Sequence, residues 1–491
     1  MGQMRFLIPQ PLRLTEEAAE AAYLTGIDRI AWPCRSWIEG TQLIVERAVS
    51  DSGNLHVPWR VDRFGQTTLS TASLMERSEL YVLPLELARG VLNQLRDQLF
   101  EWETIGLRIS EEIREKTAQA MKHLHTAATG QDNPVACAEA AEAAICLGFE
   151  AGEMLAAAYA EQSMAIRLNG GEKLTALFGA RLEEQPPEGI VGRRFVESFN
   201  TAVVPMNWRD VETRQGKFNW AAVDARILWC QTNGLTVCSG PLLSLDARSL
   251  PDWLYLWEDD FDNLFDFLSE FVTATVKRYR GKVRVWQCAA ALETGDGLSL
   301  SEEDKLRLAA RVVELVGELD PDAPTVLCFE QPWTEYASRR NVTFPPLHFA
   351  DALIRAGLNL TALILSVDFG YYPDGTLPRG LLEFNRTLDY WASYGLSLII
   401  SVSAPSSDAD DPLAGRDLSI SLSGWTPQRQ QAWAAKYLPF LLAKPYVRGV
   451  LWSQLEDGRP HDFPNGGLFD RDGAEKPVLD TLAAVRRAYL K

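Results

Sequence analysis

Acidic residues recur where apolar runs end in the C-terminal two thirds of this 491-residue chain. Glu293 follows WQCAAAL, Glu330 ends TVLCFE, and Asp368 ends LILSVD. Glu456 and Asp457 follow VLWSQL, and His461 comes soon after. Aromatic residues accompany them: Trp208, Trp253, Trp333, Phe369, Tyr371, Tyr372 and Trp452. Carboxylates accept hydrogen bonds from sugar hydroxyls, and ring faces take the C–H faces of a pyranose, so this mixture suits a carbohydrate. Two carboxyl groups about 5 to 10 Å apart can also cleave a glycosidic bond, one as acid and the other as base or nucleophile. Glu330 and Asp368 end successive runs and are the candidate catalytic pair. Glu293, Trp333, Trp452 and Glu456 are candidate substrate contacts. The competing reading is structural, because acids after strands commonly cap the next helix.

Other chemistries find little support. His123 and His125 lie in a helical stretch and His348 stands alone, so no metal site is expected. Neither GxxxxGK[ST] nor GxGxxG occurs, and no cofactor is expected. The 66 acidic against 48 basic residues, a formal charge of −18, argue against nucleic acid or an anionic membrane as partner. The seven cysteines are odd in number, form no CxxC pair and sit largely in apolar runs. That favours free thiols and a reducing compartment, and with no signal-peptide pattern in MGQMRFLIPQPLRL the expected location is cytoplasmic.

Three regions must position these residues. Residues 1–105 carry short apolar or alternating runs, LYVLPLEL among them, separated by turn residues such as DSGN. They read as a small β-rich sandwich or jelly-roll module. Residues 106–171 are rich in Ala, Glu and Leu and read as a helical hairpin turning at GQDNP. Its Ala-rich second helix permits close approach of another helix, so a homo-oligomer through the hairpin is one expectation. Residues 172–491 alternate eight apolar strands with helices, the pattern of an α/β (β/α)8 TIM barrel. Eleven of the 15 tryptophans fall in this third region.

Within it, several segments in order resemble glycoside hydrolase family 10, the xylanase family. They are LFGA (177–180), FNTAVVPMNW (199–208), LPDWL (250–254), RYRGKVRVWQ (278–287) and GVLWSQLEDG (449–458) followed by GGLFDRDGAEKP (466–477). The resemblance implies a (β/α)8 barrel whose chemistry sits at the strand ends. The family places its acid/base Glu in WDxxNEA on strand four, where this chain reads WQCAAAL and has Ala291. The family nucleophile lies in TELD on strand seven, and the corresponding residue here is Ser401 in ISVS. Family subsite positions correspond to Asn207, Pro241, Asp246 and Asp368, and Trp208 and Trp452 match family positions that line the cleft.

Ala291 cannot transfer a proton, and a serine without a base is a poor nucleophile. The expectation is therefore a family-10-like barrel without the family's hydrolytic mechanism, binding carbohydrate or serving as an interaction module. Two alternatives stand beside it. One is a carbohydrate-active enzyme using relocated carboxylates, and the other is a structural or assembly protein.

Overall fold

A computed structural model describes residues 2–491 apart from 11, 12, 341, 343, 417, 418 and 421–423. The chain divides into two compact units. The first comprises Met1–Ile166 with Trp333–Thr343 and Gly370–Tyr390, and the second comprises Arg167–Pro332, Phe344–Phe369 and Trp391–Lys491.

The first unit is β-rich at its start. Its strands are β1 (Gly2–Leu7), β2 (Tyr23–Thr25), β3 (Ala31–Trp32), β4 (Cys34–Glu39), β5 (Gln42–Arg47), β6 (Asn54–Val61), β7 (Gly65–Ser70) and β8 (Tyr81–Val82). They form two four-stranded sheets, ordered β4-β5-β1-β8 and β3-β2-β6-β7. Alternation is clear in β1, where Met4 and Phe6 are buried and Gln3 and Arg5 exposed. The run LYVLPLEL behaves differently from its strand-like reading. Only Tyr81 and Val82 pair as a strand, and helix α2 (Leu83–Thr104) follows a short α1 (Glu16–Glu20). Pro84 in the first turn suits a helix start, and buried Ala88, Leu92, Leu95, Gln98 and Trp102 recur at helical spacing. Helix α3 (Glu111–Thr129) is capped by the Ser110 hydroxyl, and α4 (Pro134–Arg167) follows after a short turn.

Small residues let these helices pack closely. A Cβ on Gly148 of α4 would lie 2.6 Å from Leu92 of α2, and one on Gly90 would lie 1.7 Å from the Ser70 carbonyl oxygen. Trp102 stacks on Tyr159 with centroids 4.3 Å apart. By length and composition alone α4 could cross a bilayer, and 44% of its most apolar stretch is buried against the protein.

The second unit is a closed barrel. Its strands are β9 (Leu177–Arg181), β10 (Thr201–Val204), β11 (Thr236–Ser239) with its short continuation β12 (Leu243–Ser244), β13 (Val285–Ala290), β14 (Thr325–Glu330), β15 (Ala362–Asp368), β16 (Ser397–Ser403) and β17 (Val447–Trp452). All pairings are parallel, and β17 returns to pair with β9. Helices occupy the connections, among them α5 (Gly189–Ser198), α6 (Trp208–Val211), α7 (Ala221–Thr232), α8 (Phe261–Tyr279) and α9 (Glu302–Leu319). They continue as α10 (Pro346–Arg355), whereas α11 (Leu381–Ala392) lies almost wholly in the first unit, and α12 (Pro427–Ala443) and α13 (Val478–Tyr489) follow in the second. Ser301 caps α9 and Thr426 caps α12, each hydroxyl accepting from an N–H in the first turn. The structure is thus the (β/α)8 TIM barrel expected from the alternating pattern.

Side chains alternate along each strand, so every second residue faces the barrel axis. On β14 these are Val326, Cys328 and Glu330, on β15 Ala362, Ile364, Ser366 and Asp368, and on β16 Ile399, Ser401 and Ser403. The apolar members form one core cluster with Val203, Cys238, Val285, Ala290 and Leu451. The interior therefore changes from apolar at the N-terminal ends to polar at the C-terminal ends, where an open cavity begins. All seven cysteines are free, and burial pushes the Cys238 and Cys288 thiols up to about 12.

Candidate active site

A cavity of about 480 Å3 opens at the C-terminal ends of the strands. Asp368, Glu330, Ser366, Ser401, Ser453, Gln287, Asp246 and Arg416 are among its lining residues. Register explains the cluster. Glu330 lies beside Ser366, Ser366 beside Ser401, and Asp368 beside Ser403 on adjacent parallel strands.

Asp368 is cradled by hydroxyls. Its Oδ1 accepts from Ser403 Oγ at 2.6 Å and from Ser453 Oγ at 3.4 Å, and its Oδ2 accepts from Ser366 Oγ at 3.1 Å. Burial pushes this carboxyl up to about 6, against the Ser403 hydrogen bond and the charge of Arg416, while Glu330 adds to the rise. Glu330 is also raised by burial, opposed by Arg416 and by Thr294, whose Oγ1 donates to Glu330 Oε2 at 2.9 Å. Beneath it, the Glu330 N–H donates to Glu293 Oε1 at 2.6 Å. Burial first, and the neighbouring Glu330 charge second, push Glu293 up to about 8, so Glu293 is mostly neutral at pH 7.

Arginines answer the acids. Arg416 NH2 lies 3.9 Å from Glu330 Oε2 and 4.0 Å from Asp246 Oδ2, with its guanidinium over the Phe463 ring at 5.1 Å. Arg248 bridges Asp246, at 2.8 Å, and Asp462, at 2.7 Å. Burial would raise the Asp246 carboxyl, and the hydrogen bonds from Arg248 outweigh it, holding Asp246 below its ordinary value. Among the described residues no group of three or more His, Cys, Asp and Glu is arranged to hold a metal ion.

The residues singled out from the sequence fall into two sets. Glu330, Asp368, Asn207, Asp246 and Trp452 line the cavity, although Trp452 is 1% exposed and donates its indole N–H to the Gly466 carbonyl. Asn207 donates to Asp210 at 3.0 Å. The others are not among the lining residues. Glu293 sits under Glu330. Trp208 is buried, stacked on Phe271 at 5.1 Å, with its N–H given to Glu212 at 2.7 Å. Trp333 belongs to the first unit, where it packs against Phe384 at 5.0 Å under the Arg379 guanidinium. Glu456 bridges in backbone to Phe469 and lies 3.8 Å from Arg459. Arg416 and the hydroxyl cradle were missed. The cradle was legible as inward-facing Ser and Asp at two-residue spacing, whereas Arg416 lies on a loop with no local signal.

At the two positions where the resemblance puts the hydrolytic groups, the structure places Ala291, with φ of +52°, and Ser401. Ser401 has no base beside it from His461. Both ring nitrogens of that histidine are engaged, Nε2 with Asp411 at 3.0 Å and Nδ1 with the Arg459 carbonyl at 2.6 Å.

The fold and cavity define a (β/α)8 barrel with a carboxylate-lined site at its C-terminal face. Residues 180–294 match the family model "Glycosyl hydrolase family 10", and the barrel is family-10 xylanase-like. Endo-1,4-beta-xylanase 3 of Hypocrea jecorina (strain QM6a) is 29% identical over 92 residues. That stretch is 19% of this chain and spans about a quarter, 26%, of the relative's length. Among solved structures, xylanase 10B from Thermotoga petrophila RKU-1 in complex with xylobiose is 16% identical with a TM-score of 0.47, covering 66% of this chain and 96% of that one. Xylanase B from Clostridium stercorarium F9 is 17% identical with a TM-score of 0.49, covering 63% and 96%. The strand order itself carries the fold assignment.

Proposed function

We propose that the upper cavity of the barrel binds carbohydrate and that the chain does not use the double-displacement mechanism of retaining glycosidases. That mechanism needs an ionised carboxylate to attack the anomeric carbon and a second carboxyl to protonate the leaving oxygen. The observation that carries the reading is a cavity lined by Asp368, Glu330, Asp246 and Arg416, a set that suits sugar hydroxyls, with Ser401 in the lining where the resemblance puts the nucleophile. Three serine hydroxyls hold Asp368 in one orientation, so its remaining acceptor site, on Oδ2, is preorganised for a ligand hydroxyl. Arg416 and Glu330 offer a donor and an acceptor within the same cavity.

Calorimetric titration with xylotetraose tests this. Asp368→Asn and Glu330→Gln are each expected to weaken binding about tenfold or more, the worth of a hydrogen bond to a charged group, with the melting temperature little changed. Because Asp368 titrates near 6, affinity falls as the pH drops from 7 to 5 and the carboxylate loses an acceptor site. Unchanged affinity in both variants would refute the reading.

A second reading has its own support. Glu330 and Asp368 line one cavity from adjacent strands, and strand geometry puts their Cα atoms roughly 8 Å apart. Burial raises both carboxyls, which suits whichever of the two would act as the acid while the other stays ionised. On this reading the barrel hydrolyses a glycoside through the relocated pair. Turnover would then be present in the wild type and lost in either variant. The β-rich start of the first unit we take as an accessory module, and the location as cytoplasmic.

A further inference from the structure

The opposite end of the barrel carries a feature that the upper cavity does not explain. A cavity of about 570 Å3 opens among the N-terminal ends of the strands. Such a volume suits a small organic ligand. Its floor is apolar, built by Leu177, Val285, Val326, Ala362 and Ile399, all from the first residues of barrel strands. Its rim is cationic, with Arg167, Lys173, Arg284, Arg448 and Lys491 against a single acid, Glu172. In a chain with 66 acidic and 48 basic residues, five cations to one acid reverses the overall balance.

The cations differ in how they are held. Arg167 donates to the Leu442 and Lys444 carbonyls, and Lys173 Nζ donates to the Arg487 carbonyl at 2.8 Å. Those bonds orient the two side chains. Arg284, just before β13, and Arg448, the second residue of β17, are exposed and have no carboxylate partner among the described residues. Two unpaired guanidinium forks above an apolar floor match an anion that has an apolar body, because the fork geometry fits phosphate or carboxylate oxygens in pairs.

We propose that the lower mouth of the barrel binds a small organic anion, an aryl or acyl phosphate or carboxylate. Its apolar body enters the cavity and its charge meets Arg284 and Arg448. The inference is independent of the reading of the upper cavity.

Calorimetry of the full chain at low ionic strength tests it with 1-naphthyl phosphate, inorganic phosphate and 1-naphthol as probes. The wild type is expected to bind 1-naphthyl phosphate at least about tenfold more tightly than either fragment probe. The exposed double variant Arg284→Glu/Arg448→Glu is expected to lose at least about tenfold in that affinity, and Arg284→Gln/Arg448→Gln to lose less, with melting temperatures near wild type. Inorganic phosphate bound as tightly as the aryl phosphate would overturn the role of the apolar floor. Absence of aryl phosphate binding, or equal affinity in wild type and both variants, would overturn the site.

Discussion

Glu335→Gln is expected to destabilise the first unit by about 3–5 kcal/mol in urea denaturation, the cost of leaving one member of a buried ion pair alone. Arg379 and Glu335 approach to 2.5 Å with side-chain exposures of 0% and 2%. The pair is wired on both sides. The Leu377 N–H donates to both Glu335 oxygens, at 3.2 and 3.3 Å, and the Arg379 guanidinium donates to the Tyr23 hydroxyl at 2.6 Å and lies over the Trp333 ring. Tyr23 stacks on His56, whose Nε2 lies 3.0 Å from Thr25 Oγ1. The pair thus ties Trp333–Thr343 and Gly370–Tyr390 to the N-terminal strands of the same unit. Glutamine keeps acceptance from Leu377 and loses the charge, so Arg379 loses the carboxylate nearest to it. Replacing both partners, Glu335→Leu with Arg379→Met, is expected to recover part of the loss, with a coupling of more than about 1 kcal/mol in the double-mutant cycle. Additive losses would show that the charge interaction contributes little.

The second large effect concerns Glu293. Its carboxyl titrates near 8 in the folded protein and near its ordinary value when unfolded. The unfolded chain therefore releases this proton at lower pH than the folded one, and stability falls as the pH rises between those two values. Glu293→Gln keeps the Oε1 acceptor for the Glu330 N–H and cannot ionise. It is expected to gain on wild type increasingly from pH 5 to pH 8, by about 1.4 kcal/mol per pH unit at most. Urea midpoints at pH 5, 6.5 and 8 read the effect. A constant difference across that range would mean that Glu293 is ionised in the folded state.

Much of the barrel was legible. TVLCFE spans β14 residue for residue, and the other seven runs lie within a few residues of their strands, because parallel strands buried on both faces leave unbroken apolar runs. Helix α2 was not, since LYVLPLEL begins as a strand and the helical spacing becomes visible only beyond Ala88. Nor did the local pattern around Trp333 or Arg379 signal membership of the first unit, because that depends on contacts hundreds of residues apart. Glu330 and Asp368 line the upper cavity from the strand ends at which their apolar runs stop. Arg416 had no local signal, and Trp208 and Trp333 lie outside the cavity lining, packed on Phe271 and Phe384. An aromatic near a strand end reads alike whether it faces a cavity or a helix, and only the packed neighbours decide.

The central claim is that the upper cavity holds a sugar without cleaving it by double displacement. Saturation-transfer proton NMR on xylotetraose, followed over a day with the full chain, reads binding and cleavage together. The expected spectrum shows saturation of the sugar protons, diminished in Asp368→Asn, and no new anomeric signals. Absence of saturation, or β-anomeric products that persist in Glu330→Gln and Asp368→Asn, would contradict the account.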